Sequence, residues 1–387
     1  MQLKQNLNLQ DFEFQKNLNS GASADVFLAK NKQTGSKLYA IKSLRLRAQE
    51  SPADVETELN ILEKIVSIDP KPLSFPTNYY GYQKEVNQFQ QMTYQIVFDY
   101  YPHSLKSLIA EKQPSLFPFS KIQHYFKRLV NGLAFLQTLQ VCHRDLKPAN
   151  LLLDELGENI YLMDFGISND FNVLKGGMTK RKMPIEGTPE YFSPELYKAF
   201  KEDKKKMVEI NPYKSDVFSL GLIMLEMANY SLPKKNIDFN IWEKNIEFEF
   251  EEMKKKYENI LITKEEKIEF QRFIKILRKC LAMKDEDRPD FISLFKKNIY
   301  VNDYESIKSH IMIEDSVKNQ VSNNLNIFNN FELRGYSQDK NVSAKIWGSC
   351  DKIPLSSFFA NEKYIFVCEK LKHSLENWQI SFKRCNL

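Results

Sequence analysis

The phrase Cys142-His143-Arg144-Asp145-Leu146-Lys147-Pro148-Ala149-Asn150 constrains this chain more than any other stretch. It sets a carboxylate, an ammonium and a carboxamide at fixed offsets, directly ahead of the apolar run Leu151-Leu152-Leu153. From Phe119 to Leu139 before it, Tyr125, Phe126, Leu129, Val130, Leu133, Phe135 and Leu136 fall mainly on one side of a helix. The polar loop is therefore carried between a long amphipathic helix and a short strand. A second phrase, Asp164-Phe165-Gly166, follows after the length of a strand, a turn and a strand.

Together the two phrases resemble the catalytic loop and the metal-binding loop of the eukaryotic protein kinase superfamily, in its serine/threonine form. The resemblance implies an α+β, bilobal fold: an antiparallel-sheet N-lobe with one helix, and a mainly helical C-lobe. The lobes should span about 12–98 and 103–299, joined by a hinge at 99–102, after a short segment at 1–11. It also implies ATP and Mg²⁺ as cofactors, and a protein Ser or Thr hydroxyl as the acceptor. Asp145 is then the group that orients and deprotonates that hydroxyl, and Lys147 neutralises the transferring phosphoryl group. Asn150 and Asp164 supply hard oxygen ligands for the metal. Phe165 packs so as to set its aspartate, and Gly166 permits an unusual backbone there.

Other motifs occur in the family's order. Asn19-Ser20-Gly21-Ala22-Ser23-Ala24-Asp25-Val26 reads as a turn between strands, in the place of the phosphate-covering loop. It departs from the family: Asn19 and Ala24 stand where glycines are usual, leaving Gly21 alone to bring the backbone close to phosphate. Tyr39-Ala40-Ile41-Lys42 is an alternating strand, and Lys42 is expected on the α- and β-phosphates. A helix over 54–68 follows, in which Glu56 and Glu58 both could pair with Lys42; Glu58-x-x-x-Leu62-x-x-Ile65 fits the family better. Phe98 should stand at the back of the nucleotide pocket, with Val26, Ala40 and Leu152 in its walls. The backbone at Asp99 and Tyr101 should meet the adenine edge.

The activation segment runs from Gly166 to Glu195. Gly187-Thr188-Pro189-Glu190-Tyr191 resembles the substrate-side loop, with Thr188 expected to bond Asp145 and Lys147. Arg144 is of the kind that grips a phosphate on this segment. Thr179 is the first candidate for that phosphate and Ser168 the second, with Lys180 or Arg181 assisting. Asp216 should hold the catalytic-loop backbone, and Arg288 should pair with a buried Glu195. His143 and Cys142 read as core residues.

Residues 300–330 are polar and Asn-rich, a linker by composition. In the extension 331–387, Tyr364–Leu375 repeats Tyr94–Leu105 without a gap: Tyr94/Tyr364, Val97/Val367, His103/His373, Ser104/Ser374 and Leu105/Leu375 coincide. The extension is either a partial second N-lobe cut off after its hinge or an unrelated strand-turn-helix. It has no second catalytic loop.

Composition sets outer bounds. At 42% hydrophobic and 27% charged the chain has ordinary globular make-up, and a net charge of +5 in 387 residues gives no reason to expect nucleic acid. Five scattered cysteines without metal spacing read as reduced thiols, and no apolar run reaches membrane-spanning length. No membrane partner and a cytoplasmic or nuclear location are expected. The expected function is a serine/threonine protein kinase with a protein substrate and an upstream kinase. The alternative is a nucleotide-binding pseudokinase acting as a scaffold.

Overall fold

The computed structural model describes residues 7–20, 24–33, 35, 37–67, 78–111, 116–169, 180–202 and 207–296 in full, and the backbone of Asp170. In the extension it describes only the backbone of five strands. Gly21, Thr179 and the linker lie outside the described residues.

The N-lobe is a five-stranded antiparallel sheet: β1 (Phe12–Ser20), β2 (Ala24–Asn31), β3 (Leu38–Leu46), β4 (Tyr79–Val86) and β5 (Met92–Asp99), in the order β1-β2-β3-β5-β4. Alternation along these strands gives the sheet two different faces. Ala29, Tyr39, Ile41 and Val97 form one buried face with Leu9 and Phe12. The register places Asn19 opposite Val26, Val26 opposite Lys42, and Ala40 opposite Phe98, so these residues share the other face. Lys42, Ala40 and Phe98 are half-buried on that face.

Helix α1 (Ala53–Val66) lies between β3 and β4 in the chain and buries Val55, Glu58, Leu59, Ile61, Leu62 and Ile65. Among these only Glu58 is charged. A carboxylate on an apolar stripe needs a cation opposite, and its position on this helix supplies one below.

After the hinge come β6 (His103–Ser104) and α2 (Leu105–Ala110), whose Ser104 and Ser107 form a reciprocal cap. Helix α3 (Phe119–Thr138) buries the side foreseen from its periodicity. It leads through β7 (Val141–Cys142) into the polar loop, then to β8 (Leu151–Leu153), β9 (Ile160–Leu162) and β10 (Asn169–Asp170). Strand β10 pairs with β7, which closes the loop on itself. Strand β11 (Arg181–Pro184) pairs antiparallel with β12 (Met207–Ile210) across helix α4 (Pro194–Glu202).

Helix α5 (Pro212–Asn229) is buried nearly all round and forms the axis of the C-lobe. A Cβ at Gly221 would stand 2.8 Å from Leu281 Cγ, so only glycine lets the chain after the next helices approach this closely. Helices α6 (Phe239–Glu258), α7 (Lys264–Cys280) and α8 (Phe291–Lys296) complete the lobe. Trp242 of α6 packs edge-on against Phe218 of α5.

The extension is described by itself. Strands β13 (Leu333–Ser337), β14 (Ser343–Ile346) and β17 (Trp378–Ile380) form a sheet in the order β14-β13-β17. Strands β15 (Phe358–Asn361) and β16 (Tyr364–Val367) form a hairpin. Strand β16 is the segment that matches Tyr94–Val97 of β5; the helix expected after it falls at residues outside the described set. Among the described residues no helix is long and apolar enough to cross a membrane.

Candidate active site

Lys42 reaches from β3 across to α1. Its Nζ lies 2.7 Å from Glu58 Oε1, 3.0 Å from Glu58 Oε2 and 2.9 Å from Asp164 Oδ1. Burial alone would lower the ammonium's pKa, but Glu58 and Asp164 outweigh it and raise the value, so Lys42 is charged. Burial likewise opposes ionisation of Asp164, and Lys42 overrides it to keep the carboxylate below its usual range. Of the two candidate acids, Glu58 makes the pair; Glu56 lies beside Lys84, its Oε1 3.8 Å from the ammonium.

The turn that carries Asp164 is built differently from expectation. The left-handed backbone belongs to Asp164 itself, at φ +69°, and Gly166 is absent from the positive-φ positions. A Cβ at Gly166 would stand 3.3 Å from Asp164 Oδ1, a tight contact within the turn itself, and 3.7 Å from Glu58 Oε2, an ordinary one. Phe165 is 2% exposed and packs edge-on to His143, at 5.3 Å between ring centres.

In the polar loop, Thr188 Oγ1 donates to Asp145 Oδ1 at 2.7 Å and accepts from Lys147 Nζ at 2.8 Å. Lys147 Nζ also lies 2.6 Å from Asp145 Oδ2. Asn150 Nδ2 donates to the Asp145 carbonyl at 2.9 Å and to Oδ2 at 3.1 Å. The nitrogen of the Asn150 carboxamide is thus committed to Asp145, which orients the amide. Its remaining polar atom is an oxygen, and Asp164 holds a second oxygen beyond the one on Lys42. An all-oxygen pair of this kind suits a hard divalent cation. Among the described residues, no group of three or more His, Cys, Asp or Glu side chains is placed to hold a metal ion.

The loop itself is fixed from below. Asp216 on α5 accepts from the amides of His143 at 2.8 Å and Arg144 at 2.9 Å. Those bonds secure a backbone in which Arg144 has φ +71°. Burial lowers the His143 pKa, so the ring is neutral, and its Nε2 bonds the Met163 carbonyl at 2.9 Å. Burial raises the Cys142 thiol, an inert core group. In the Arg288–Glu195 pair it is Arg288 that is buried: its side chain is 0% exposed and that of Glu195 22%. The reason is position, since Arg288 also donates to the Lys214 carbonyl and lies 5.3 Å from the centre of the Phe218 ring.

At the hinge, Asp99 donates its amide to the Asn78 carbonyl, while its carboxylate receives Asn78 Nδ2, Tyr80 OH and Lys37 Nζ. Tyr101 lies 4.3 Å from Tyr161, ring to ring, and Tyr161 pairs across the strands with Leu152. Tyr161 was not foreseen; a tyrosine in a three-residue strand has no distinguishing spacing.

Two further groups were invisible to motif reading. Glu186 lies 3.1 Å from Arg144 Nη1. Lys235 donates to the carbonyls of Pro189 at 2.8 Å and Phe192 at 2.7 Å, holding the loop that carries Thr188. Ser168 is 4% exposed and donates to the His143 carbonyl, which makes it a core residue and no candidate for modification. Lys180 is held by Asp285 and Glu286.

The comparisons agree with this geometry. A protein kinase domain model matches residues 12–300. The chain is 32% identical over 228 residues to the Citron rho-interacting kinase of Rattus norvegicus, covering 58% of this chain and 10% of that protein. It is 27% identical over 227 residues to the serine/threonine-protein kinase pakH of Dictyostelium discoideum, covering 59% and 39%. It is 29% identical over 223 residues to mitogen-activated protein kinase kinase kinase A of the same organism, covering 57% and 21%. The match thus spans from a tenth to about two fifths of these relatives' lengths. With the sheet, the Lys42–Glu58–Asp164 cluster and the domain match in agreement, the chain belongs to the protein kinase family, whose members use ATP and a divalent metal.

Proposed function

We propose that this chain is an active serine/threonine protein kinase that transfers the γ-phosphate of ATP to a hydroxyl on a protein. The observation that carries the reading is the bonding of Thr188 to both Asp145 and Lys147. That contact couples the substrate-side loop to the group that must receive the proton.

Phosphoryl transfer has a loose transition state, so the protein's contribution is mostly positioning and charge neutralisation. Lys42, clamped between Glu58 and Asp164, is placed for the α- and β-phosphates. Asn19, Val26, Ala40 and Phe98 share its face of the sheet, and Leu152 lies across from Tyr161 beside the hinge. With the Asp99 amide committed to Asn78, the Asp99 carbonyl and the Tyr101 amide are the groups for the adenine edge.

Asp145 accepts the acceptor hydroxyl's proton through one carboxylate oxygen while Asn150 and Thr188 fix the carboxylate's plane. Lys147 supplies positive charge beside it. Asn150 and Asp164 would hold Mg²⁺, which when bound neutralises charge building up on the phosphate oxygens.

Incorporation of labelled γ-phosphate into mixed protein substrates, followed by hydrolysis to phosphoamino acids, tests the reading. Label on phosphoserine and phosphothreonine is expected. Label on phosphotyrosine alone would overturn the hydroxyl specificity. Measurable ATP binding with no label on any substrate would favour the scaffold.

A further inference from the structure

Arg144 stands next to Asp145, and its guanidinium donates to three acceptors and lies beside one carboxylate. Nη1 donates to the Ile167 carbonyl at 3.1 Å and Asn169 Oδ1 at 2.7 Å, and pairs with Glu186 Oε2 at 3.1 Å. Nη2 donates to the Pro184 carbonyl at 2.7 Å. The Arg144 side chain is 8% exposed, so its charge needs an anion close by. Among the groups the guanidinium touches Glu186, itself 46% exposed, is the anion, and the Asp216 carboxylate on the Arg144 amide adds negative charge from below.

Three observations bear on whether a phosphate could take that place. The segment Lys180-Arg181-Lys182-Met183-Pro184-Ile185-Glu186-Gly187 contains no Ser, Thr or Tyr. Strand β11 is extended and registered on β12 from Arg181 to Pro184, so its ends are separated by roughly 10 Å at the usual rise per residue. Lys180, just before β11, is tied to Asp285 and Glu286. Lys180 therefore stands at the end of β11 away from Pro184, whose carbonyl Arg144 holds. The nearby Ser168 hydroxyl is buried on the His143 carbonyl.

We propose that Glu186 is a positioning residue whose carboxylate, acting through Arg144, holds the activation segment in place without phosphorylation. Many kinase loops are ordered by a new arginine–phosphate pair; here an acidic side chain of the segment itself fills that role. The effect passes directly to the site, because Glu186 is followed by Gly187, which lies against the Arg144 carbonyl, and then by Thr188. The proposal rests on the kinase reading for its catalytic consequence, but the holding role can be measured separately.

The test uses the full chain, treated with a broad serine/threonine phosphatase and checked by intact mass. Amide hydrogen exchange at 181–187 and labelled-phosphate transfer are measured on the same samples. Dephosphorylated wild type should keep slow exchange there and keep its rate. Glu186→Gln should exchange about two- to fivefold faster over those amides, with an unchanged global unfolding midpoint. It should also show a lower kcat at unchanged KM for ATP, and Glu186→Asp should recover part of both. Loss of protection on dephosphorylation, or a Glu186→Gln protein as protected as wild type, would overturn the proposal. Glu186-dependent protection in a chain that transfers no phosphate would uphold the holding role and overturn the catalytic reading instead.

Discussion

Gly187→Ala is the substitution that tests most sharply how the substrate-side loop is seated. Gly187 has φ +112°, outside the range that L side chains adopt without strain. An added Cβ would stand 2.8 Å from the Arg144 carbonyl oxygen, 3.1 Å from Phe192 Cε1 and 3.7 Å from Asp145 Oδ1. The backbone strain is worth about 1–3 kcal/mol. The carbonyl cannot yield cheaply, because Asp216 bonds the amides of both His143 and Arg144. With about 1 kcal/mol more for the close contact, the total reaches about 2–4 kcal/mol. The loop relieves it by moving Thr188 off Asp145 and Lys147, since α5 beneath is the packed centre of the lobe. At 1.36 kcal/mol per factor of ten, kcat should fall by at least about 30-fold. ATP affinity should change by less than about twofold, because the Lys42–Glu58–Asp164 cluster does not include Gly187. The assay is kcat on a protein substrate at saturating ATP, with ATP affinity from a separate titration. Gly35→Ala is the control: φ is +75° with nothing within 4 Å of the added Cβ, so some stability should be lost and no kcat. A Gly187→Ala protein with wild-type kcat would refute the seating of the loop.

Two predictions concern stability. Glu195→Gln leaves the buried Arg288 guanidinium with the Lys214 carbonyl and a neutral amide, and should cost about 3 kcal/mol in urea unfolding; a loss below about 1 kcal/mol would show that the pair is not needed. Burial lowers the Lys235 pKa from 10.5 to about 7, with Glu190 pulling the other way. The unfolded chain then holds more protons than the folded one between those values, so this group's penalty is full below about pH 7 and fades as pH rises toward 10.5. The stability of wild type relative to Lys235→Met should therefore climb across that window, and a flat difference would refute it. Either protonation state leaves N–H groups for the Pro189 and Phe192 carbonyls.

How much of this was legible in the sequence depended on whether a contact follows from local spacing. Lys42 and Glu58 could be placed because Tyr39-Ala40-Ile41-Lys42 and Glu58-x-x-x-Leu62-x-x-Ile65 resemble the family's motifs, and the strand register and helix agree with that placement. The offsets from Asp145 to Asn150 fit one tight turn, and Thr188 came with its motif. The unusual backbone sits at Asp164 and not at Gly166, whose added Cβ would press only on the Asp164 carboxylate of its own turn. Glu186 and Lys235 follow from no local spacing. Glu186 answers an arginine, and Lys235 answers carbonyls, more than forty residues away along the chain, and neither relation leaves a periodic signal. The first four residues of the internal match form strand β16, which a partial N-lobe and an unrelated strand-turn-helix share, and the match continues into residues outside the described set.

The measurement that bears most directly on the central claim is the rate of γ-phosphate transfer by wild type beside Asp145→Asn, with ATP affinity followed in both. Asparagine keeps the size of the side chain but offers one acceptor oxygen where the carboxylate offers one to Thr188 and one to Asn150, and it cannot take the hydroxyl's proton. Transfer should fall by at least about a hundredfold while ATP affinity stays within about twofold. Transfer at the wild-type rate in Asp145→Asn would contradict the assignment of Asp145, and with it the mechanism built around that loop.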